Sequence, residues 1–218
     1  MTTELGWLRD GTSLFTGQLD ALPDERFTEP CALPGWTRAH LLTHLARNAD
    51  ALINLTRWAE TGTESPMYPG GPAQREADID EGVPRPAEVI RRDVIESAGR
   101  LDRAIAALPA GAWTSEIRTA QGRPIPASAI PWLRVREVWI HAVDLGTGIT
   151  FADFPADLTA ALIDDVREAL TAQPGCPDLT AITGPAPDLL GWLTGRTAGA
   201  TLGPALLPVL PTWLLPEN

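Results

Sequence analysis

The sequence predicts a mainly α-helical protein: an antiparallel four-helix bundle over residues 1–150, followed by a small, shortened α/β domain over residues 151–218. Three observations lead there. Apolar residues recur at three- and four-residue spacing through several long stretches, the period of one helix face. Polar, Gly- and Pro-bearing segments separate those stretches. Past residue 150 the pattern gives way to crowded Gly and Pro: Pro174-Gly175, Pro177, Gly184-Pro185-Ala186-Pro187, Gly195 and Gly199.

The first helix is expected from Thr3 to Leu22, with Leu5, Leu8, Phe15, Leu19 and Leu22 on one face. Pro23, Pro30 and Pro34-Gly35 make the next segment a loop. Thr37 is placed as the N-cap of a second helix that runs to Thr61, where Gly62 supplies the stop. Its buried stripe is Leu41, Leu45, Leu52, Leu55 and Ala59. Thr63 to Pro86 is rich in Gly, Pro and charge and is expected to be a long surface loop. Pro86 can open a third helix reaching Leu108, with Val89, Val94, Leu101, Ile105 and Leu108 inward. Trp113 to Pro126 reads as a turn-rich stretch or short hairpin. The fourth helix is expected from Trp132 to Leu145, closed by Gly146, and a fifth from Pro155 to Thr171. Beyond it, Leu179–Thr183 is expected as a strand and Asp188–Thr194 as a short helix. The apolar tail, Leu202 to Leu215, is expected to pack onto the body or a partner.

Composition narrows the function. The 218 residues can bury a sizeable core, and a 44% hydrophobic content is ordinary for a soluble protein. No apolar run approaches the ~18–20 residues of a membrane span, and the N-terminal residues lack the basic and apolar regions of a signal peptide. A cytoplasmic location is therefore expected, with no membrane partner, in a monomer or small homo-oligomer. The formal charge of −11 argues against nucleic acid. It also means that an anionic ligand would need locally clustered Arg, the residue type that supplies all 17 basic side chains. Cys31 and Cys176 stand far apart, in no ligand spacing, and read as two small, partly buried residues.

With only three histidines, their placement is informative. His40 and His44 are four apart in the second helix, and Glu137 and His141 four apart in the fourth. An i, i+4 carboxylate–imidazole pair puts two ligands on one helix face, and a facing helix can supply the third, as in metal sites of bundle cores. Such a pair also occurs on solvated faces. Here Val138, Trp139, Ile140, Ala142 and Val143 make the fourth helix apolar around most of its circumference, so a buried Glu137 needs a partner or a metal. His44 sits likewise among Leu41, Leu42 and Leu45. Imidazoles with a carboxylate suit Zn²⁺, and also Fe²⁺, Mn²⁺ or Ni²⁺. Three ligands with an open fourth position indicate catalysis for zinc. Spacing alone does not choose between His40 and His44.

The stretch Leu33-Pro-Gly-Trp-Thr-Arg-Ala-His-Leu-Leu-Thr-His-Leu-Ala-Arg-Asn48 resembles the mycothiol-dependent maleylpyruvate isomerases, part of a wider DinB-like group of metal-binding helix bundles. The likeness continues through Trp58-Ala-Glu-Thr-Gly62, Ser65-Pro-Met-Tyr68, Thr119-Ala-Gln-Gly122 and Arg136-Glu-Val-Trp-Ile-His-Ala-Val-Asp-Leu145. It covers residues 1 to about 155. The resemblance implies zinc held by His44, Glu137 and His141, with His40 left to packing or hydrogen bonding. It also implies mycothiol as the thiol cofactor. Thr194-Gly-Arg196 looks like the family's activity-contributing Arg stretch, which makes Arg196 the catalytic candidate expected to hold a carboxylate of a small dicarboxylate substrate. The segment before it, around Pro174 to Pro187, is shortened relative to the family. Arg47, Arg85, Arg134 and Arg136 are weaker clamp candidates, each also readable as an ion-pair residue.

The implied reaction is the cis–trans isomerisation of maleylpyruvate to fumarylpyruvate in gentisate breakdown. Neither cysteine is needed if the cofactor supplies the thiol. A mycothiol S-transferase acting on another electrophile would use the same centre, and a non-catalytic metal-binding sensor would keep the metal without thiol-dependent turnover.

Overall fold

The computed structural model describes residues 2–211, and they group into two compact units, one over Met1–Thr147 and one over Gly148–Asn218. In the first unit, helix α1 (Thr2–Ala21) buries Leu8, Phe15 and Leu19 along its apolar stripe. Helix α2 (Arg38–Thr61) starts and stops where its capping residues dictate. Thr37, in extended conformation, forms a capping box with His40, and Gly62 ends the helix at φ 70° in the left-handed region that favours Gly. Leu41, Leu42, Leu45, Leu52 and Leu55 of α2 are fully buried.

A twelve-residue helix, α3 (Gly71–Gly82), occupies the stretch whose composition predicted only a surface loop. The correction has a physical reason. Only Ile79 and Gly82 of α3 are buried, so the helix carries almost no apolar period, and Gly70-Gly71-Pro72 at its start reads as a turn although Pro is favourable in a first helical turn. Helix α4 (Ala87–Ala107) buries Ile90, Val94, Ser97, Leu101 and Ile105, with Leu108 just beyond; Ile90 takes the inward place expected of Val89, which is half-buried. Strands β1 (Glu116–Arg118) and β2 (Pro124–Pro126) pair antiparallel in a short hairpin, Ile117 opposite Ile125. Helix α5 (Ile130–Asp144) follows, and Gly146 at φ 68° turns the chain away from it.

The four long helices pack as a bundle, α2 against α4 and α5, and α1 against α5 and α4. Where α1 crosses α5, Gly11 lets the backbones approach: a Cβ there would stand 2.4 Å from Trp139 Nε1, whose N–H donates to the Trp7 carbonyl at 2.8 Å. Buried Arg38 ties the start of α2 to the end of α5, donating from Nε to Leu145 O at 2.8 Å and pairing through Nη1 with Glu29 at 2.8 Å.

In the second unit, α6 (Ala156–Thr171) and α7 (Ala186–Leu193) bury Leu158, Leu162, Val166, Leu170, Leu189, Leu190 and Leu193. The strand expected over Leu179–Thr183 is reduced to one antiparallel bridge, Thr183 with Gly203, because Pro and Gly interrupt the chain on both sides. Leu202 is buried, whereas Leu206 and Val209 are almost fully exposed at 90% and 92%, so these two tail residues do not pack onto the body. The remainder of that tail, from residue 212, lies outside the described residues. No described helix is long and apolar enough to cross a membrane.

Candidate metal centre

Glu137 and His141 project from one face of α5, one helical turn apart, and the packing of α2 on α5 brings His44 to meet them. His44 Nε2 lies 2.9 Å from Glu137 Oε2, and His141 Nε2 lies 3.3 Å from the same oxygen. One ligand atom from each of the three residues falls within 4.8 Å of the others. The imidazoles stand nearly perpendicular, 86° apart, with ring centres separated by 5.1 Å. Behind His141, the fully buried Asp144 carboxylate accepts from Nδ1 at 2.8 Å. That bond orients the ring and leaves Nε2 aimed at the Glu137 carboxylate.

The surroundings are largely buried and carry positive charge. Trp36 covers His44 with its ring centre 5.7 Å away. Arg134, one turn before Glu137 on α5, is buried and donates through Nη1 to Leu45 O at 2.9 Å and Asn48 Oδ1 at 2.8 Å, both on α2. Burial pulls its pKa down to about 10, with nearby Glu137 opposing the fall, so the guanidinium stays charged at neutral pH. From α3, Arg75 Nη2 reaches to 3.3 Å from His44 Nδ1 and is hydrogen-bonded to the half-buried Tyr68. Burial pushes the Tyr68 phenol up to about 12.

The ligand groups divide by protonation. Burial lowers His44 to about 4, only partly offset by its hydrogen bond to Glu137, so this imidazole is a neutral ligand across the physiological range. Burial works to raise Glu137, but hydrogen bonds from His141 and His44 outweigh it and hold the carboxyl well below its ordinary value. Burial likewise works to lower His141, and the hydrogen bonds to Asp144 and Glu137 reverse that, so its pKa is raised. Two imidazole nitrogens and a carboxylate oxygen converging from facing helices fit a divalent first-row metal. A carboxylate behind a ligating histidine is the usual orienting partner at such centres.

Of the residues singled out by sequence, the structure brings His44, Glu137 and His141 together. His40 is not among them: its Nδ1 accepts from the Thr37 backbone N–H at 3.2 Å, and its ring stacks against Trp36. Arg47 pairs with Asp93 and Asp50, and Arg85 with Asp93, so both serve ion-pair networks. Arg134 is held by Leu45 O and Asn48 Oδ1 of α2 within electrostatic reach of Glu137, and Arg136 is half-buried on α5. Arg196 follows α7 in the second unit, where Nη1 donates to Thr194 O at 2.6 Å and its backbone N–H to Gly191 O at 2.8 Å. Cys31 and Cys176 are free and half-buried, and burial pushes the Cys31 thiol up, away from reactivity. Tyr68 and Asp144 lay within recognisable motifs without a role attached. The spacing of Asp144 three residues past His141 was the available signal. Arg75 gave none, because its helix was not legible.

Fold and site together define a helix-bundle protein with a candidate metal centre, its three potential ligands drawn from two facing helices. The model of the mycothiol maleylpyruvate isomerase N-terminal domain family matches residues 8–146, and the chain belongs to that family. A crystal structure of the mycothiol-dependent maleylpyruvate isomerase is similar at a TM-score of 0.90 and 36% identity, the match covering 97% of this chain and 96% of that one. A histidine-to-alanine mutant of that isomerase gives a TM-score of 0.90 at 34% identity, over the same 97% and 96%. Two uncharacterized proteins from strains of Mycobacterium tuberculosis are 29% identical over 135 residues, 59% of this chain and 49% of theirs. The chain thus spans about half the length of these curated relatives.

Proposed function

We propose that this chain is a zinc- and mycothiol-dependent isomerase that converts maleylpyruvate to fumarylpyruvate, a step of gentisate breakdown. The observation that carries the reading is the convergence of His44 Nε2, Glu137 Oε2 and His141 Nε2, with Asp144 behind His141, in a chain of this family. A cytoplasmic location suits a thiol cofactor and two unpaired cysteines.

The chemical demand is specific. A cis C=C does not rotate until its bond order falls, and reversible addition of a nucleophile is the mildest way to lower it. Zinc bound here would keep a low-molecular-weight thiol as thiolate at neutral pH, which supplies that nucleophile. The protein's part is to build and tune the place. His44 would offer a neutral nitrogen, His141 a nitrogen that gives up its proton to the metal, and Glu137 one negative charge. Asp144 fixes the His141 ring so that Nε2 faces inward. Arg134, charged and locked to α2, sets a positive field one turn from Glu137, which favours negative charge developing on a substrate. Burial of His44 beneath Trp36 lowers the local dielectric and would strengthen that field.

The test is an assay of the purified protein with maleylpyruvate, with and without mycothiol, before and after chelation. Isomerisation requiring both thiol and metal is expected. Turnover of another electrophile by mycothiol, with no isomerisation, would instead assign an S-transferase.

A further inference from the structure

We propose that Arg75 is a substrate-binding residue, whose guanidinium takes a carboxylate of the dicarboxylate; the identity of that substrate rests on the isomerase reading above. Arg75 stands beside the centre, Nη2 3.3 Å from His44 Nδ1, and is hydrogen-bonded to Tyr68. It differs from the arginines around it in what holds it. Arg38 is paired with Glu29, Arg47 with Asp93 and Asp50, Arg85 with Asp93, and Arg100 with Asp50. Arg134, at the same centre, is buried and engaged by a backbone carbonyl and an amide of α2. Among the described residues no carboxylate pairs with Arg75. Its contact to His44 is at the long end of hydrogen bonding, and it ends on a neutral ring. An imidazole that binds a metal through Nε2 carries its proton on Nδ1 and no longer accepts there, which frees the guanidinium for another partner.

Charge arithmetic gives the class of that partner. With a divalent metal bound, the ion and Arg75 would bring three positive charges to the centre, and Arg134, within electrostatic reach of Glu137 and of Asp50, adds to them. The negative ones are Glu137 and Asp144, together two. That positive excess beside Trp36 is what the carboxylates of a dicarboxylate neutralise. A guanidinium forks onto a carboxylate in a way an ammonium cannot. Arg75 is the cation free to do this, since Arg134 is held by Leu45 O and Asn48 Oδ1 of α2. It also answers how a −11 protein accepts a dianion next to its own Glu137.

The test measures binding of maleate, without thiol, to the zinc-loaded full-length protein by calorimetry, for native, Arg75→Gln, Arg75→Lys and Tyr68→Phe forms. Arg75→Gln should keep its zinc and weaken maleate binding about 10- to 100-fold, the scale of one charged hydrogen-bond pair. Arg75→Lys should recover part of that, and Tyr68→Phe, which keeps the guanidinium, should lose much less. With maleylpyruvate, Arg75→Gln should raise KM more than it lowers kcat. The proposal is overturned if native protein shows no maleate binding, if Arg75→Gln binds maleate within about twofold of native, or if zinc is lost along with maleate, which would make Arg75 a support for His44. The two readings separate cleanly. Arg75-dependent maleate binding without isomerisation removes the isomerase assignment and keeps the clamp, and isomerisation with Arg75-independent maleate binding does the reverse.

Discussion

Asp144 shows how a residue outside the ligand set governs it. Its carboxylate is fully buried and accepts from His141 Nδ1 at 2.8 Å, so it both aims Nε2 and raises the pKa of the ring. Asp144→Ala should weaken zinc binding about 10- to 100-fold, the usual effect of removing such an orienting partner, as measured by competition with a chromogenic chelator. The same bond gives the centre a pH dependence. His44, lowered to about 4, stays neutral, and Glu137, held low, stays ionised, so His141 is the ligand on which protons compete with metal. Its pKa is raised above the ordinary value of about 6.5, and without metal the protonated ring contributes stability that is present below that value and is lost as pH rises through the elevated one. Zinc must displace that proton. The rise in Tm on adding zinc should therefore be small at acid pH and grow as the solution is taken to mildly alkaline pH; a zinc shift that is flat or falls with pH would remove His141 from the ligand set. His40→Ala, by contrast, should keep full zinc content and cost about 1 kcal/mol through the lost cap of α2.

At the scale of elements, the bundle was readable wherever burial wrote a period into the sequence. The stripe Leu41, Leu45, Leu52, Leu55 and the caps Thr37 and Gly62 bound α2 almost to the residue. Glu137 and His141 were visible as a pair because α5 is apolar around them. Helix α3 was illegible for the opposite reason: charged residues surround Ile79, and what fixes the helix is tertiary contact at Gly82 rather than an apolar face. A Cβ on Gly82 would lie 2.3 Å from Thr43 Cγ2 and 2.9 Å from Arg85 Nη2, so α3 seats directly against α2 beside His44. The residue that most needed structure to find, Arg75, rides on that helix. Gly82→Ala should therefore destabilise the protein by roughly 1–3 kcal/mol, the range for inserting a methyl group into a packed contact, read as a lower urea midpoint with unchanged m-value. Gly11→Ala, which drives a methyl into Trp139 between α1 and α5, should lose a similar amount.

The whole molecule sets a strongly acidic surface against a small cationic centre. A net charge of −11 repels a dianion at long range, and screening confines that repulsion to about 8 Å at physiological ionic strength. Local cations then decide binding, and family resemblance makes Arg196 of Thr194-Gly-Arg196 a separate candidate for recognising a carboxylate. In the second unit the C-terminal turn of α7 fixes its backbone through Gly191 O, and Nη1 rests on Thr194 O. A Cβ on Gly191 would stand 2.9 Å from Thr197 Cγ2, so a larger residue there would force a local shift. If Arg196 takes a substrate carboxylate, Arg196→Ala should leave zinc content unchanged while kcat/KM falls by roughly 2–4 kcal/mol in barrier terms, the scale for one lost transition-state donor. Arg196→Lys should recover only part, because a point charge does not fork. Metal analysis alongside the kinetics separates this from a folding defect: full zinc with native kcat/KM in Arg196→Ala would leave substrate recognition to the bundle alone, where Arg75 and Arg134 already supply two positive charges beside the ligands.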